Sequence, residues 1–251
     1  MIRPQLAIAG LTACFGCQLT LLNCEAELPD IADRFNFTYF PMGMSSPDIT
    51  ADFDAALVEG AVSTPCDLET LVTLRNRSRL LIAIGTCAIF GGVAAMCNEE
   101  PRPRLLRTVY GPAADGLASF NPAPLERFVT VDFAVTGCPP ERGELLATLA
   151  ALLRGTFPAL PAYPVCLECR SRENACLLIE RNEPCLGPVT RAGCNARCPA
   201  MAVHCEGCRG PVAEANVAAE LELLIAKGVS REELVRRLRR FCPEWDYEQR
   251  A

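Results

Sequence analysis

The 251-residue chain sets 24 Lys and Arg against 30 Asp and Glu, for a formal net charge of −6, and half of its residues are hydrophobic. That acidic balance lacks the excess of cations a general phosphate-binding surface needs, which sets nucleic acid aside as a partner; the length allows one large domain or a domain with an appendage. No stretch reaches the roughly 18 consecutive apolar residues of a spanning helix, and the first apolar run, 6–13, ends at a cysteine pair without a basic n-region or small-residue cleavage site, so the expectation is a cytoplasmic chain with no membrane span.

Apolar runs of strand length at 5–9, 35–40, 55–58, 79–84 and 128–135 alternate with helix-like segments, the pattern of an α/β domain. Most are apolar without alternation, as strands buried on both faces should be. Segment 68–76 reads as a crossover helix, and Pro139-Pro140 followed by 141–153 as a helix opened by proline with acid in its first turn. Three prolines within 155–164 mark a linker, so the expected domains are 1–155 and 165–251. Residues 165–210 show no sustained period and are dense in Cys, Gly, Pro and Arg; such a segment is expected to bury little hydrocarbon and to need metal clusters to fold. Helix returns over 213–227, stopped by Gly228, and Ser230 with Glu233 proposes a capping box for 230–240.

Twelve of the sixteen cysteines fall into two patterns. Cys14 and Cys17 form a C-x-x-C pair after the first strand, Cys87 follows the fourth and Cys138 the fifth, so all four are expected to meet at the carboxyl ends of a parallel sheet, where such folds bind ligands. Cys166, Cys169, Cys176, Cys185, Cys194, Cys198, Cys205 and Cys208 crowd together further on, with C-x-x-C pairs at both ends. Disulfides suit small exported domains, and this chain is neither small nor supplied with an export signal. Twelve thiolates make three sets of four, the requirement of a cubane [4Fe–4S] cluster; a four-cysteine zinc site uses the same local spacing, so a C-x-x-C pair by itself leaves the metal open.

The wider order of motifs resembles the small, electron-transferring subunit of [NiFe] hydrogenases. Cys14-Phe15-Gly16-Cys17-Gln18-Leu19-Thr20-Leu21-Leu22, Gly85-Thr86-Cys87-Ala88-Ile89-Phe90-Gly91-Gly92 and Gly137-Cys138-Pro139-Pro140 match three motifs of that family in order. The match continues in Cys185-Leu186-Gly187-Pro188-Val189-Thr190-Arg191-Ala192-Gly193-Cys194 and Cys205-Glu206-Gly207-Cys208-Arg209-Gly210-Pro211. The resemblance implies a flavodoxin-like domain holding a proximal cluster on Cys14, Cys17, Cys87 and Cys138. It also implies a distal cluster on Cys166, Cys169, Cys176 and Cys185, and a medial one on Cys194, Cys205 and Cys208. Respiratory members place a histidine where Cys166 stands, and often a proline where Cys198 offers a fourth medial thiolate; these two departures imply three [4Fe–4S] clusters and a cytoplasmic branch, similar to sulfhydrogenase and methyl-viologen-reducing enzymes. The implied partners are a large subunit carrying the nickel–iron site and a further flavin- or iron–sulfur-containing subunit. No catalytic residue is then expected in this chain. The alternatives are the cluster subunit of a quinone-reducing complex, which shares the Gly-Cys-Pro-Pro box but uses adjacent cysteines where Cys14 and Cys17 are two residues apart, and a zinc-stabilised interaction module.

Four cysteines, Cys24, Cys66, Cys97 and Cys242, remain, and read as small buried hydrophobes. His204, the single histidine, reads as an exposed loop residue. Glu59, just past the third strand, reads equally as an ordinary surface carboxylate or as a desolvated acid beside the proximal site, and Arg191, Arg197 and Arg209 as solvated charges or as cations that offset cluster charge.

Overall fold

The computed structural model describes residues 3–243. The chain divides into two compact units, one running to Pro158 and the other starting at Ala159. Among the described residues no helix is long and apolar enough to cross a membrane.

The first unit follows from strands whose side chains are apolar on both faces. The strands β1 (Gln5–Gly10), β2 (Asn36–Tyr39), β3 (Phe53–Glu59), β4 (Ser78–Ile84) and β5 (Phe133–Val135) form one parallel sheet in the order β2-β1-β3-β4-β5, the flavodoxin-like arrangement. Its helices are α1 (Gly16–Leu22), α2 (Leu28–Arg34), α3 (Pro65–Arg77), α4 (Gly85–Phe90), α5 (Arg102–Tyr110) and α6 (Arg142–Leu152), with a 3-10 segment over Gly92–Glu99. Leu6, Ala7 and Ile8 on β1 and Leu81 and Ile82 on β4 have no exposed surface, because consecutive residues face opposite sides of a sheet that is covered on both. Ala7, Phe53, Val58, Leu71, Leu74, Leu81 and Leu125 fill one face.

Three expectations change here. Only the last residues of 128–135 form a strand: at Asp132, just before it, the amide still donates to the Leu81 carbonyl at 2.9 Å, but the carboxylate, not the main chain, accepts from the Leu81 amide at 2.7 Å and from Arg75. The helix after the two prolines starts at Arg142 with Glu141 as its cap, so the prolines lie outside it, and Pro140 bridges back to Gly137. The crossover helix α3 is longer than 68–76, because Thr64 and Asp67 close a reciprocal capping box around Pro65.

The second unit contains α7 (Val165–Ser171), α8 (Leu177–Glu180), α9 (Arg197–Ala200), α10 (Val217–Ala226) and α11 (Arg231–Arg239). Here the expectation of little buried hydrocarbon fails. Val165, Leu178, Leu186, Val189 and Ala196 of the cysteine-rich segment share a core with Val217, Leu221, Leu224, Leu234 and Leu238 of the last two helices. The apolar residues are spaced irregularly in sequence because turns, not a repeating helix or strand, bring them inward. Helix α10 begins at Val217, later than expected, since Asn216 caps it by accepting from the Ala219 amide; Gly228, at φ 89°, ends the helical run as expected. Ser230 caps α11 through the Glu233 amide, but the Glu233 carboxylate turns to Arg236 and Arg237, which leaves half a capping box.

Replacing Leu81 by Ala should cost about 2–5 kcal/mol, the usual penalty for a cavity at a fully buried leucine. Denaturant unfolding of the full chain checks this; a loss under about 1 kcal/mol would mean that the face between sheet and α3 is not close-packed.

Candidate metal centres

In the first unit the strand ends deliver the cysteines. Cys14 lies in the turn after β1, Cys17 in the first turn of α1, Cys87 in α4 immediately after β4, and Cys138 three residues past β5. The Thr86 amide donates to the Gly137 carbonyl at 2.9 Å, tying the last two loops together. Gly85, at φ +83°, has no room for a side chain: a Cβ there would collide with Cys17 Sγ, and one on Gly92 would reach Cys87 Sγ at 2.7 Å. Burial pushes the Cys17 thiol far above its ordinary range, and Glu59, Cys87 and Cys138 push it further. Cys87 is also raised by burial and by Cys14 and Glu59, while the Val93 and Ala94 amides aimed at its sulfur act the other way. The four expected thiols therefore share one electrostatic neighbourhood. Glu59 belongs to it: 1% exposed, it accepts from the Cys17 amide at 3.1 Å and from Gln18 Nε2 at 2.6 Å, which rules out the surface-carboxylate reading.

In the second unit Cys166 and Cys169 stand on α7, Cys176 caps α8, and Cys185 is buried in the following turn. Burial, then Cys185, Cys169, Glu220 and Cys176 push the Cys166 thiol up to about 12. Gly187 sits against two of these sulfurs; an added Cβ would meet Cys166 Sγ at 3.3 Å and Cys185 Sγ at 3.4 Å. The Cys205 amide donates to Cys185 Sγ at 3.3 Å, so the next thiols adjoin this set. Burial raises Cys205, opposed by the Gly207 amide and the Thr190 hydroxyl and reinforced by Cys185 and Cys208. Burial also raises Cys194, against which the Arg197 and Ala196 amides and the Arg209 guanidinium work. Cys198 is exposed in α9. Among the described residues no three Cys, His, Asp or Glu side chains converge on the position of a single ion.

A family model described as NADH ubiquinone oxidoreductase, 20 Kd subunit, matches residues 14–152. The chain is 41% identical to sulfhydrogenase 2 subunit delta of Pyrococcus furiosus, over 95% of this chain and 99% of that one. The chain belongs to the small-subunit family of [NiFe] hydrogenases. It is 32% identical to a vhu subunit of the F420-non-reducing hydrogenase of Methanocaldococcus jannaschii over 83% of its own length and 82% of the relative's. Among solved structures it resembles a chain of an NAD+-reducing [NiFe]-hydrogenase in the H2-reduced state, with a TM-score of 0.57 and 31% identity over 64% of this chain and 96% of that chain. This small subunit is therefore part of a hydrogenase, an oxidoreductase, and its role is electron transfer.

Around the small subunit's thiols several residues depart from expectation. Cys24 and Cys242 are buried as small hydrophobes should be, but Cys66 is exposed and Cys97 half-buried, receiving Arg102 Nη1 at 3.4 Å. His204 is not a free loop residue: Nε2 meets Glu206 at 2.6 Å and Nδ1 meets Glu183 at 3.3 Å, with Arg237 and Arg240 closing the network on Glu206. Arg209 is 2% exposed and donates from Nε to the Ala192 carbonyl at 2.8 Å; Arg191 is half-buried and Arg197 exposed. Glu168 and Glu220 went unread in the sequence. The signal for Glu220 was its spacing, since it shares the buried stripe of Val217, Leu221 and Leu224.

Glu220 is 5% exposed, and burial pushes its carboxyl from the ordinary 4.5 up to about 7. Between those values the folded chain holds a proton that the unfolded chain releases, so this group's contribution to stability is full below about 4.5 and is lost as pH rises through about 7. Thermal unfolding followed from about pH 5 to about pH 8 should show a decline that Glu220→Gln flattens; an unchanged slope in the variant would mean that another group carries the dependence.

Proposed function

We propose that the chain binds three [4Fe–4S] clusters and relays electrons between the nickel–iron site of a large subunit and a further redox subunit, in the cytoplasm. Residues 1–155 would form the domain of the proximal cluster, on Cys14, Cys17, Cys87 and Cys138. Residues 165–251 would hold the distal cluster on Cys166, Cys169, Cys176 and Cys185, and the medial one on Cys194, Cys198, Cys205 and Cys208. One observation carries the reading: backbone N–H groups in tight turns point at the sulfurs of Cys87, Cys185, Cys194 and Cys205. Such donors favour a thiolate, and hydrogen bonds to sulfur help to set cluster potentials.

The crowding of the thiols supports the same reading. A buried set of like-charged sulfurs beside Glu59 or Glu220 does not ionise unaided, as the raised Cys17 and Cys166 thiols make plain; cations placed between them reverse that cost. A zinc ion binds thiolates at about 2.3 Å and so needs four sulfurs gathered closely around one point. A cubane spreads its four irons over a larger body, one thiolate to each, and supplies one-electron chemistry when bound. All-thiolate ligation favours low potentials suited to the hydrogen couple.

Phe15, Leu19, Val93 and Met96 are 40–48% exposed beside Cys14, Cys17 and Cys87. This apolar rim supports a lasting interface with the large subunit, larger than about 2,000 Å². With that edge docked, residues 14–18, 87–92 and 138–140 should be covered.

Cys17→Ser should abolish hydrogen-dependent dye reduction by the purified complex while the large subunit keeps its nickel; wild-type rates would mean that electrons leave by another route. Cys198→Pro should convert the medial cluster to a three-iron form, read as a new signal in low-temperature EPR of the oxidised protein. Absence of that signal in an iron-replete variant would remove Cys198 from the ligand set.

A further inference from the structure

The carboxylate of Glu168 leaves its own motif. It stands between Cys166 and Cys169 in α7, yet its oxygens accept from two amides of a different loop, Gly193 N at 2.8 Å and Ala196 N at 3.0 Å. Those amides flank Cys194. The loop is conformationally costly: Gly193 has φ 120°, and Asn195 and Ala196, which are not glycines, have φ 55° and 45°. The turn brings the Gly193 and Ala196 N–H groups to one side, a concave backbone site for an anion, which Glu168 occupies from one direction. The Ala196 amide also points at Cys194 Sγ, so carboxylate and sulfur share a donor. Arg172, just past α7, donates to the Asn195 carbonyl at 3.4 Å and adds a second tie to the same loop.

We infer that Glu168 is a positioning residue that ties the distal cysteine pair to the Cys194 loop and sets the potentials of both clusters of the second unit together. The inference rests on the ligand assignment proposed above. Its two effects have the same sign. A negative charge beside both clusters opposes the arrival of an electron and so lowers both potentials. By drawing part of the Ala196 amide away from Cys194 Sγ, the carboxylate also weakens a hydrogen bond that would raise the medial potential. Glutamine retains the length of the side chain but offers one acceptor oxygen and no charge, and its NH2 group cannot receive an amide.

The experiment uses the cluster-loaded hydrogenase complex. EPR-monitored redox titration of E168Q should show the medial and distal midpoints both shifted upward, the proximal midpoint at its wild-type value and the iron content unchanged. Hydrogen exchange read at single residues should find the Gly193 and Ala196 amides protected in the wild type and at least about tenfold faster in E168Q. Unshifted midpoints in an iron-replete E168Q overturn the inference and leave the cluster assignment standing. Wild-type protein that holds only the first unit's iron overturns both. If E168Q does not load its clusters, the wild-type exchange measurement decides: unprotected Gly193 and Ala196 amides contradict the tie.

Discussion

Crowded sulfur is the constraint on which the rest of the structure depends. Thiols buried beside one another and beside a carboxylate are held in the protonated form, as at Cys17 and Cys166, so the chain needs cations between the sulfurs and amide dipoles aimed at them. The sheet and the turns meet the second need. Strands ending in glycine-rich loops place N–H groups on Cys87, and the turns at Gly187, Ala196 and Gly207 do the same for Cys185, Cys194 and Cys205. Gly85 and Gly92 cannot carry side chains for the same reason, since the space a Cβ would take is filled by sulfur.

Acidic side chains recur around these sites in an order that is not accidental to their chemistry. Glu59 accepts from the Cys17 amide and Gln18, Glu168 accepts from the two amides around Cys194, and Glu220 lies buried beside Cys166 and Cys185. A carboxylate in such a place opposes the arrival of an electron when it is ionised; Glu220, pushed up to about 7 by burial, does so only above that pH. Cations are placed differently: Arg209 is anchored on Ala192 and works on Cys194, while Arg237 and Arg240 pair with Glu206 between Cys205 and Cys208. The Cys194 loop therefore has a cationic neighbour, Arg209, beside its acidic one, Glu168.

The sheet was legible in the sequence because buried parallel strands announce themselves: the first four expected strands are all present, with ends within two residues of those observed. The fifth was overdrawn, since 128–132 is as apolar as a strand but is diverted by Leu125–Arg127 and by the Asp132 carboxylate, which satisfies a backbone amide in place of a ladder partner. The C-terminal core was missed for a related reason: Leu178, Leu186, Val189 and Ala196 come inward from turns and very short helices, with no period to read. Cysteines are read easily because they recur in C-x-x-C pairs and glycine-rich boxes. Carboxylates that hold those loops, Glu168 above all, have no spacing signature, as their partners are backbone amides that any residue supplies.

The central claim is that these sulfurs are grouped around clusters of iron and sulfide. Metal and acid-labile sulfide analysis of anaerobically purified native complex tests it most directly. Twelve ligand cysteines in sets of four give about twelve irons and about twelve sulfides per chain; about four irons, or zinc in their place, would contradict it.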